Sequence, residues 1–427
     1  MLGKLLEPDP IGSFMRRPAE LIAILTREAA HAARGLRRSP GFSIAVIAIL
    51  GLGIGANAAV FSVVDRLLFR PAALLRDPAT VHRVYTQTWN RGTSTTRADA
   101  EYTRYLDLIR WTRSFSEFAA FSNRVLAVGD GLASRERPVG IVSASFFHFF
   151  DAPPALGRYF AADEDAIPRG ADVAVLGYDA WQADFGGRDV RGRALQVGNI
   201  RATIIGVAPR GFAGVSMTGA PAVYIPITTF AAANGNRRDA TAFFTSYSWR
   251  WMEIMVRRMP GVGAEDASAD ATLALRQSWN RRRELEPTLP PVDEAKPRAI
   301  VGSLHTGAGP EPGLEARTAR WVAGVALVVL VIACANVANL FLARGLRRRR
   351  EIAVRLALGV SRRRLAVLAV VESLMLSMVG GLAGLALAQW TGAAIGRLLL
   401  GTEGVAASAF TDWRTIAAAT ACAILAG

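Results

Sequence analysis

The 427-residue sequence contains two lysines, Lys4 and Lys296, two cysteines, Cys334 and Cys422, and four histidines, His31, His82, His148 and His305. Each scarcity closes off a class of chemistry. Neither lysine ends a glycine-rich loop of the form G-x-x-x-x-G-K-[ST], whose amides and lysine cradle nucleotide phosphates, so the sequence carries no P-loop. Both cysteines sit in apolar runs and none falls between Asp65 and Arg317, so no disulfide framework holds that region. No two histidines have metal-ligand spacing and no cysteine cluster assists them, so neither a metal nor a cofactor is expected. The nucleophile elbow G-x-S-x-G is absent. The acidic run Asp163–Glu164–Asp165 reads as a solvated turn rather than a calcium loop. Trp249 and Trp251, on either side of Arg250, suit a binding surface and core packing equally.

Acidic charge is also short. The net charge is +15 and the mean hydropathy +0.25. From Asp65 to Arg317 there are 31 basic and 27 acidic residues, an excess of 4, which leaves +11 for the N-terminus and the apolar regions. A nucleic-acid footprint would concentrate charge on a folded domain. Here it flanks the apolar runs, as topology-setting charge does, and no nucleic-acid partner is expected.

Long apolar runs are abundant. Phe42–Val64 carries no charge, and its 23 residues reach about 34 Å as a helix, enough for a hydrocarbon core. Gly51, Gly53 and Gly55 lie inside it; small residues of this kind let helices approach closely. Asn57 is expected to hydrogen-bond a neighbouring helix. Trp321–Ala343 is a second uncharged run, with Asn336 and Asn339 in the same expected role. Leu365–Trp390 is a third, with Gly380 and Gly384 in GxxxG spacing. Glu372 lies within it, about 12 Å along the helix from Arg364. Two readings stay open: a functional ionisable group inside a span, or an interfacial carboxylate paired with a loop arginine. Thr415–Gly427 begins a fourth run of about 20 Å and is read as a truncated span.

Between the second and third runs, nine arginines fall from Arg344 to Arg364 against one acid, Glu351. Such a cluster pins its loop to the cytoplasmic side. The loop contains a short predicted helix. Glu351 and Arg355 stand four apart with the acid first, and Ile352 and Leu356 share a face. Gly359 is expected to end the helix and Ser361 to cap the next. Charge and periodicity alone leave open whether this element is a lever or a plain anchor. Alternating inside and outside from there puts the N-terminus in the cytoplasm and 65–317 outside it. Pro18–Arg38 reads as an amphipathic helix on the cytoplasmic leaflet, with packing on a partner protein as the alternative.

Residues 65–317 are too long and polar for a loop, and their pattern is mixed. Strands are predicted over Val81–Thr88, Val173–Leu176, Val223–Ile227, Trp251–Arg257 and Ala299–Leu304. Hairpins are predicted at Arg124–Ser145 and at Leu195–Val207, the latter turning near Gly198–Asn199. Helices are predicted over Tyr102–Trp111, Tyr178–Phe185 and Ala264–Arg283. This is an α+β domain. Ala231–Ser248, polar and aromatic without a period, reads as a mobile insertion between two lobes.

Two strings also carry a resemblance. R-R-R-E-I-A-V-R-L-A-L-G-V-S-R-R-R-L from Arg348, with V-E-S-L from Val371, resembles the cytoplasmic loop and third span of FtsX-like permeases, the membrane subunits of mechanotransmitting ABC systems that include macrolide-exporter-type permeases. RRSPGFSIAVIAILGLGIGANAAVFSVV from Arg37, with DRLLFRP after it, resembles the first span of the acidobacterial duplicated orphan permeases. The resemblance implies a membrane α-helical protein, three full spans and a truncated fourth, with a large two-lobed α+β extracytoplasmic domain between spans 1 and 2. The expected segments are 1–41 cytoplasmic, 42–64 span 1, 65–317 periplasmic core domain, 318–343 span 2, 344–364 coupling loop, 365–390 span 3, 391–414 outer loop and 415–427 the start of span 4.

It further implies a permease in the bacterial inner membrane, itself no enzyme, worked by a separate ABC ATPase that docks on Arg350, Glu351, Ile352, Arg355, Leu356, Gly359 and Arg362. Membrane lipid, a second copy or second permease half, and a periplasmic adaptor are the other implied partners. Export is the first implied function. A non-transporting mechanotransmitter acting on an envelope enzyme or sensor is the alternative. A membrane-anchored enzyme is a third reading, disfavoured by the poverty of catalytic groups.

Overall fold

The computed structural model describes residues 40–65, 70–90, 92–131, 134–216, 219–235, 239–305, 309–310, 314–358, 361–395 and 413–426, without the side chains of a few, Glu351, Ile352 and Arg355 among them. The amphipathic helix expected over Pro18–Arg38 lies outside them. Internal contacts divide the chain into two units, one comprising residues up to Asp65 and from Thr318 onward, the other Arg66–Arg317.

The first unit opens with α1 (Pro40–Val64), apolar throughout. The second then begins with β1 (Val81–Asn90), β2 (Thr93–Arg97), which pairs with β1, and β3 (Asp99–Glu101), followed by α2 (Tyr102–Trp111). β4 (Phe115–Val128) and β5 (Arg135–Val142) form a long hairpin. A one-turn-and-more 3-10 segment, Ala144–Phe149, leads to the short β6 (Leu156–Gly157). Next come β7 (Val173–Leu176), α3 (Tyr178–Phe185), β8 (Ala194–Val197) and β9 (Ile200–Val207). Val197 pairs with Ile200 across Gly198, whose φ of 55° suits the two-residue turn and would strain a residue with a Cβ. β10 (Val223–Pro226), α4 (Ile227–Asn234), α5 (Ala242–Thr245) and β11 (Arg250–Arg258) follow. The unit closes with α6 (Ala264–Leu285), α7 (Val292–Ala295) and β12 (Arg298–Gly302).

All twelve strands belong to one mixed sheet, ordered β12-β1-β11-β4-β5-β10-β7-β9-β6, with β2, β3 and β8 attached to the side. Its parallel pairs are β5–β10 and β7–β9; the rest are antiparallel. Alternation along the strands feeds two apolar clusters. One gathers Leu108, Ile141, Ile204, Ile254, Ala271 and Leu275 beneath α2 and α6. The other is aromatic, with Phe146, Phe149, Phe212 and Tyr224 buried together. Each such side chain contributes about 1.5–3 kcal/mol of burial free energy. At the sheet margin, α6 covers β12: the Val301 amide donates to Ser268 Oγ at 3.0 Å and the Ala299 amide to Thr272 Oγ1 at 3.0 Å. The exposed edge is thereby closed to strand addition at those positions.

One sequence expectation fails here and another holds only in part. Ala231–Ser248 is no insertion hung between lobes. Ala231, Phe243 and Tyr247 are buried, Thr103 Oγ1 donates to the Ser246 carbonyl at 2.6 Å, and Tyr247 Oη donates to Asp107 at 2.5 Å. The segment lacks a period because α2 recruits it through scattered long-range contacts. Residues 163–165 do form a short 3-10 turn with Asp163 exposed, but Asp165 is not solvated as expected. Glu164 accepts two bonds from Arg158, while Asp165 accepts from the Ala144 amide at 2.9 Å and from Thr228 Oγ1 at 2.8 Å. Burial pushes the Asp165 carboxyl up to about 6 against those hydrogen bonds, which favour its ionised form. Trp251 is buried in the core, and the half-buried Trp249 stacks on it with centroids 4.6 Å apart.

The first unit resumes with α8 (Leu314–Arg347), a joint at Arg348, α9 (Arg349–Ala357), α10 (Arg362–Ile395) and α11 (Trp413–Ala426). Pro40–Ser62, Arg320–Arg347 and Leu365–Trp390 are each long and apolar enough to cross a membrane. α11, with 14 residues, is a shorter apolar helix.

Candidate coupling site

The candidate site begins where the apolar helices pack. α1 lies along α10 through glycines. A Cβ built on Gly55 would stand 2.7 Å from the Gly384 carbonyl oxygen, one on Gly51 3.3 Å from that of Gly380, and one on Gly380 2.9 Å from Leu50 Cβ. Gly53 faces the other neighbour, where an added Cβ would meet Ala333 of α8 at 2.9 Å. Backbones this close gain dispersion contacts that larger residues would forbid. Asn57 donates to the Ala326 carbonyl of α8 at 2.7 Å and to the Gly53 carbonyl of its own helix at 2.9 Å, the interhelical bond its position suggested. Asn336 and Asn339 depart from expectation. α8 buries only a narrow stripe, Ala326, Leu330, Ala333 and Val337, and both asparagines lie off it, exposed and without a side-chain hydrogen bond among the described residues.

Ion pairs bind both ends of this unit. Asp65, which closes α1, is buried and pairs with Arg414 of α11 at 3.0 Å. Towards the other end of the unit, Glu372 of α10 pairs with Arg344 of α8, the arginine partnership that one of the two readings expected. The Arg344 guanidinium lies over the Phe42 ring of α1, 4.3 Å from its centroid, and Phe42 meets Phe341 edge-on at 5.3 Å. The Asp65–Arg414 pair escaped sequence reasoning, although opposite charges at the mouths of two apolar runs on one expected side were a signal for it.

Beyond Arg344 the chain turns through Arg348, whose amide donates to the Arg344 carbonyl at 3.1 Å, and enters α9. Arg350 and Leu356 are exposed there, as are Val354 and Leu358 at 59% and 79%. Arg362 is exposed at the start of α10, and the Ser361 carbonyl just before it accepts the Leu365 amide. Glu351, Ile352 and Arg355 lie within α9, but their side chains, together with Gly359, fall outside the described residues. A short helix with apolar and cationic groups bared together can receive another protein.

The second unit, Arg66–Arg317, carries its own buried charges. In one cluster Glu101 accepts from Arg104 Nε at 2.7 Å and Arg250 Nε at 2.8 Å, with Arg282 at 3.5 Å. Burial opposes ionisation, yet the Arg104 and Arg250 guanidiniums outweigh it and hold Glu101 near 2. Among the described residues no group of three His, Cys, Asp or Glu could hold a metal ion.

Comparison with known families now adds to the geometry. Residues 43–274, more than half of the chain, match the MacB-like periplasmic core domain, and residues 323–427 match the FtsX-like permease C-terminal domain. The chain belongs to the FtsX-like permeases that carry a MacB-like periplasmic core domain. It is a multi-pass inner-membrane protein of that family. A pyoverdine export ATP-binding/permease protein of Pseudomonas entomophila (strain L48) is 27% identical over 308 residues, 71% of this chain and 41% of the relative. A macrolide export ATP-binding/permease protein of Azoarcus sp. (strain BH72) is 27% identical over 244 residues, 57% of this chain and 33% of the relative. This FtsX-like chain therefore spans a third to two-fifths of the length of those relatives. The crystal structure of the periplasmic region of MacB from Actinobacillus actinomycetemcomitans aligns with 51% of this chain and 99% of that one, with a TM-score of 0.36 and 14% identity.

Proposed function

We propose that this chain is the permease part of an ABC-type export system, in which a separate nucleotide-hydrolysing subunit docks on α9 and its motion is passed through the spans to the outer domain. The observation that carries the reading is α9 itself. Val354 and Leu356 are bared with Arg349 and Arg350 on a helix joined to two spans, with exposed Leu358 just after it and exposed Arg362 opening α10. Exposed apolar groups in a cationic setting suit a partner with an apolar cleft and an acidic rim. Glu351, Ile352, Arg355 and Gly359 complete the proposed contact. These 427 residues hold no G-x-x-x-x-G-K-[ST] string, and the reading assigns ATP hydrolysis to a separate subunit; the relatives named above are ATP-binding/permease proteins.

In this reading the N-terminus and α9 are cytoplasmic and the outer domain is periplasmic, as the arginine distribution favours. Asn336 and Asn339, exposed on α8, fit a second copy or a second permease half, and lipid covers the remaining apolar surface. A periplasmic adaptor would meet the outer domain. The same motion, delivered to an envelope enzyme or sensor, gives a non-transporting mechanotransmitter; the continuous sheet serves it equally, by moving as one body.

Co-purification tests the reading. A nucleotide-hydrolysing subunit should accompany the wild-type chain from detergent-solubilised membranes. Its turnover should lose its dependence on the permease in the double variant Glu351→Ala/Arg355→Ala, which should still reach the membrane. A wild-type preparation with no ATPase, or unchanged coupling in the double variant, argues against it. A toxin-sensitivity phenotype on deletion would separate export from signalling.

A further inference from the structure

We propose that Glu372, Arg344 and Phe42 form a positioning junction that sets the angle of α9 against the spans, so that displacement of α9 reaches three helices at once. The inference rests on the reading of α9 as the coupling helix and names what holds that helix in place.

Three observations converge. Arg344 stands one turn before the joint, and its carbonyl accepts the amide of Arg348, the residue at which α8 gives way to α9. Its side chain reaches in the other direction: the guanidinium pairs with Glu372 of α10 and lies over Phe42 of α1. Only 11% of the Arg344 side chain and 14% of the Glu372 side chain are exposed, so the pair is shielded from water and from screening ions. One residue thus contacts the joint, the first span and the third. Phe341, one turn earlier on α8, braces Phe42 edge-on.

The physical consequence concerns direction. A helix attached to its span only through backbone can swivel about the joint, and a push on it would be lost in rotation. An ion pair between α8 and α10 just above the joint, with an aromatic ring from α1 closing the third side, removes that swivel. The charges also explain one another. A carboxylate in an apolar span is expensive when unpaired, and removing either partner leaves the other desolvated. The pair is therefore predicted to stay closed throughout the cycle.

The test uses the full chain without any ATPase, so its failure would leave the docking reading untouched. With Cys334 and Cys422 replaced by alanine, spin labels are placed at Ala353 and Leu382, exposed on α9 and α10, and in a second sample at Leu52 and Leu382, exposed on α1 and α10. Pulsed electron–electron distances are then recorded. The 353–382 distribution should be narrow in the parent, at least twofold broader in Glu372→Gln, and narrow again in the charge-swapped pair Arg344→Glu/Glu372→Arg. The 52–382 distribution should not change in any of the three. An unchanged 353–382 width in Glu372→Gln overturns the proposal. So does equal broadening of both label pairs, which would make Glu372 a general support of the bundle, and so does a swapped pair that stays broad.

Discussion

Gly55 and Gly384 meet backbone to backbone, with an added Cβ on either lying within 3 Å of the other's main chain. No side chain separates α1 from α10 at that level, so the two backbones are in direct contact there. Gly384→Val should force them apart. Overpacking of this kind costs about 1–3 kcal/mol where neighbours can shift, and here the neighbour is backbone. The expected result is a melting temperature in detergent lower by several degrees, with a smaller loss for Gly53→Ala, whose neighbour is the Ala333 methyl. A Gly384→Val protein as stable as the parent would contradict the packing.

Asp65 and Arg414 supply the corresponding tie between α1 and α11. Asp65 is buried while a third of the Arg414 side chain is exposed, so the pair is partly screened and breaking it should cost less than the 3–5 kcal/mol of a fully buried pair, about 2 kcal/mol. Arg414→Ala should lower the melting temperature, and Asp65→Arg/Arg414→Asp should recover most of the loss. A double-mutant cycle without coupling energy would remove the pair from the account.

Asp165 makes the outer domain sensitive to mild acid in a defined sense. Its carboxyl sits at about 6 in the fold against an ordinary 3.8, so the native state binds the proton more tightly than the unfolded chain. Its contribution to stability is full below pH 4, falls as pH rises to 6 and is flat beyond, in all about 3 kcal/mol at about 1.4 kcal/mol per unit. Asp165→Asn is expected to abolish that slope, whatever its effect at neutral pH. Denaturation midpoints from pH 4 to pH 7 by tryptophan fluorescence would show it, and parallel profiles for the two proteins would count against the assignment.

Glu101 behaves oppositely. Held near 2 rather than its ordinary 4.5, it stabilises the fold above pH 4.5 and loses that contribution as pH falls towards 2. Glu101→Gln should cost about 3 kcal/mol at pH 7, because Arg104, Arg250 and Arg282 would then face one another without their anion. The difference between variant and parent should shrink below pH 3. A difference that stays constant with pH would show that packing, rather than charge, makes the residue matter.

Much of the outer fold was legible because its elements are locally self-consistent. α2 and α3 run where their spacing placed them, and the hairpin turn at Gly198 follows from a glycine that accepts positive φ. What escaped depends on distant partners. Tyr247 and Phe243 look like loop residues until α2 supplies Asp107 and Thr103. Asp165 looks like a solvated acid until α4 brings Thr228 against it. In the spans, Asn57 behaved as its position suggested, whereas Asn336 and Asn339 did not, since sequence cannot say which stripe of α8 is covered. The exposed Val354, Leu356 and Leu358 show the converse limit: apolar side chains with none of the described residues covering them read in sequence like any amphipathic turn.

Sidedness tests the central claim most directly. Asp130 of the outer domain and Ala353 of α9 are both exposed, and each can be replaced by cysteine in a chain lacking Cys334 and Cys422. A membrane-impermeant maleimide applied to intact spheroplasts should label Asp130→Cys and leave Ala353→Cys untouched until the cells are lysed. Labelling of both positions in intact spheroplasts would put α9 and the outer domain on one side of the membrane and refute transmission across it.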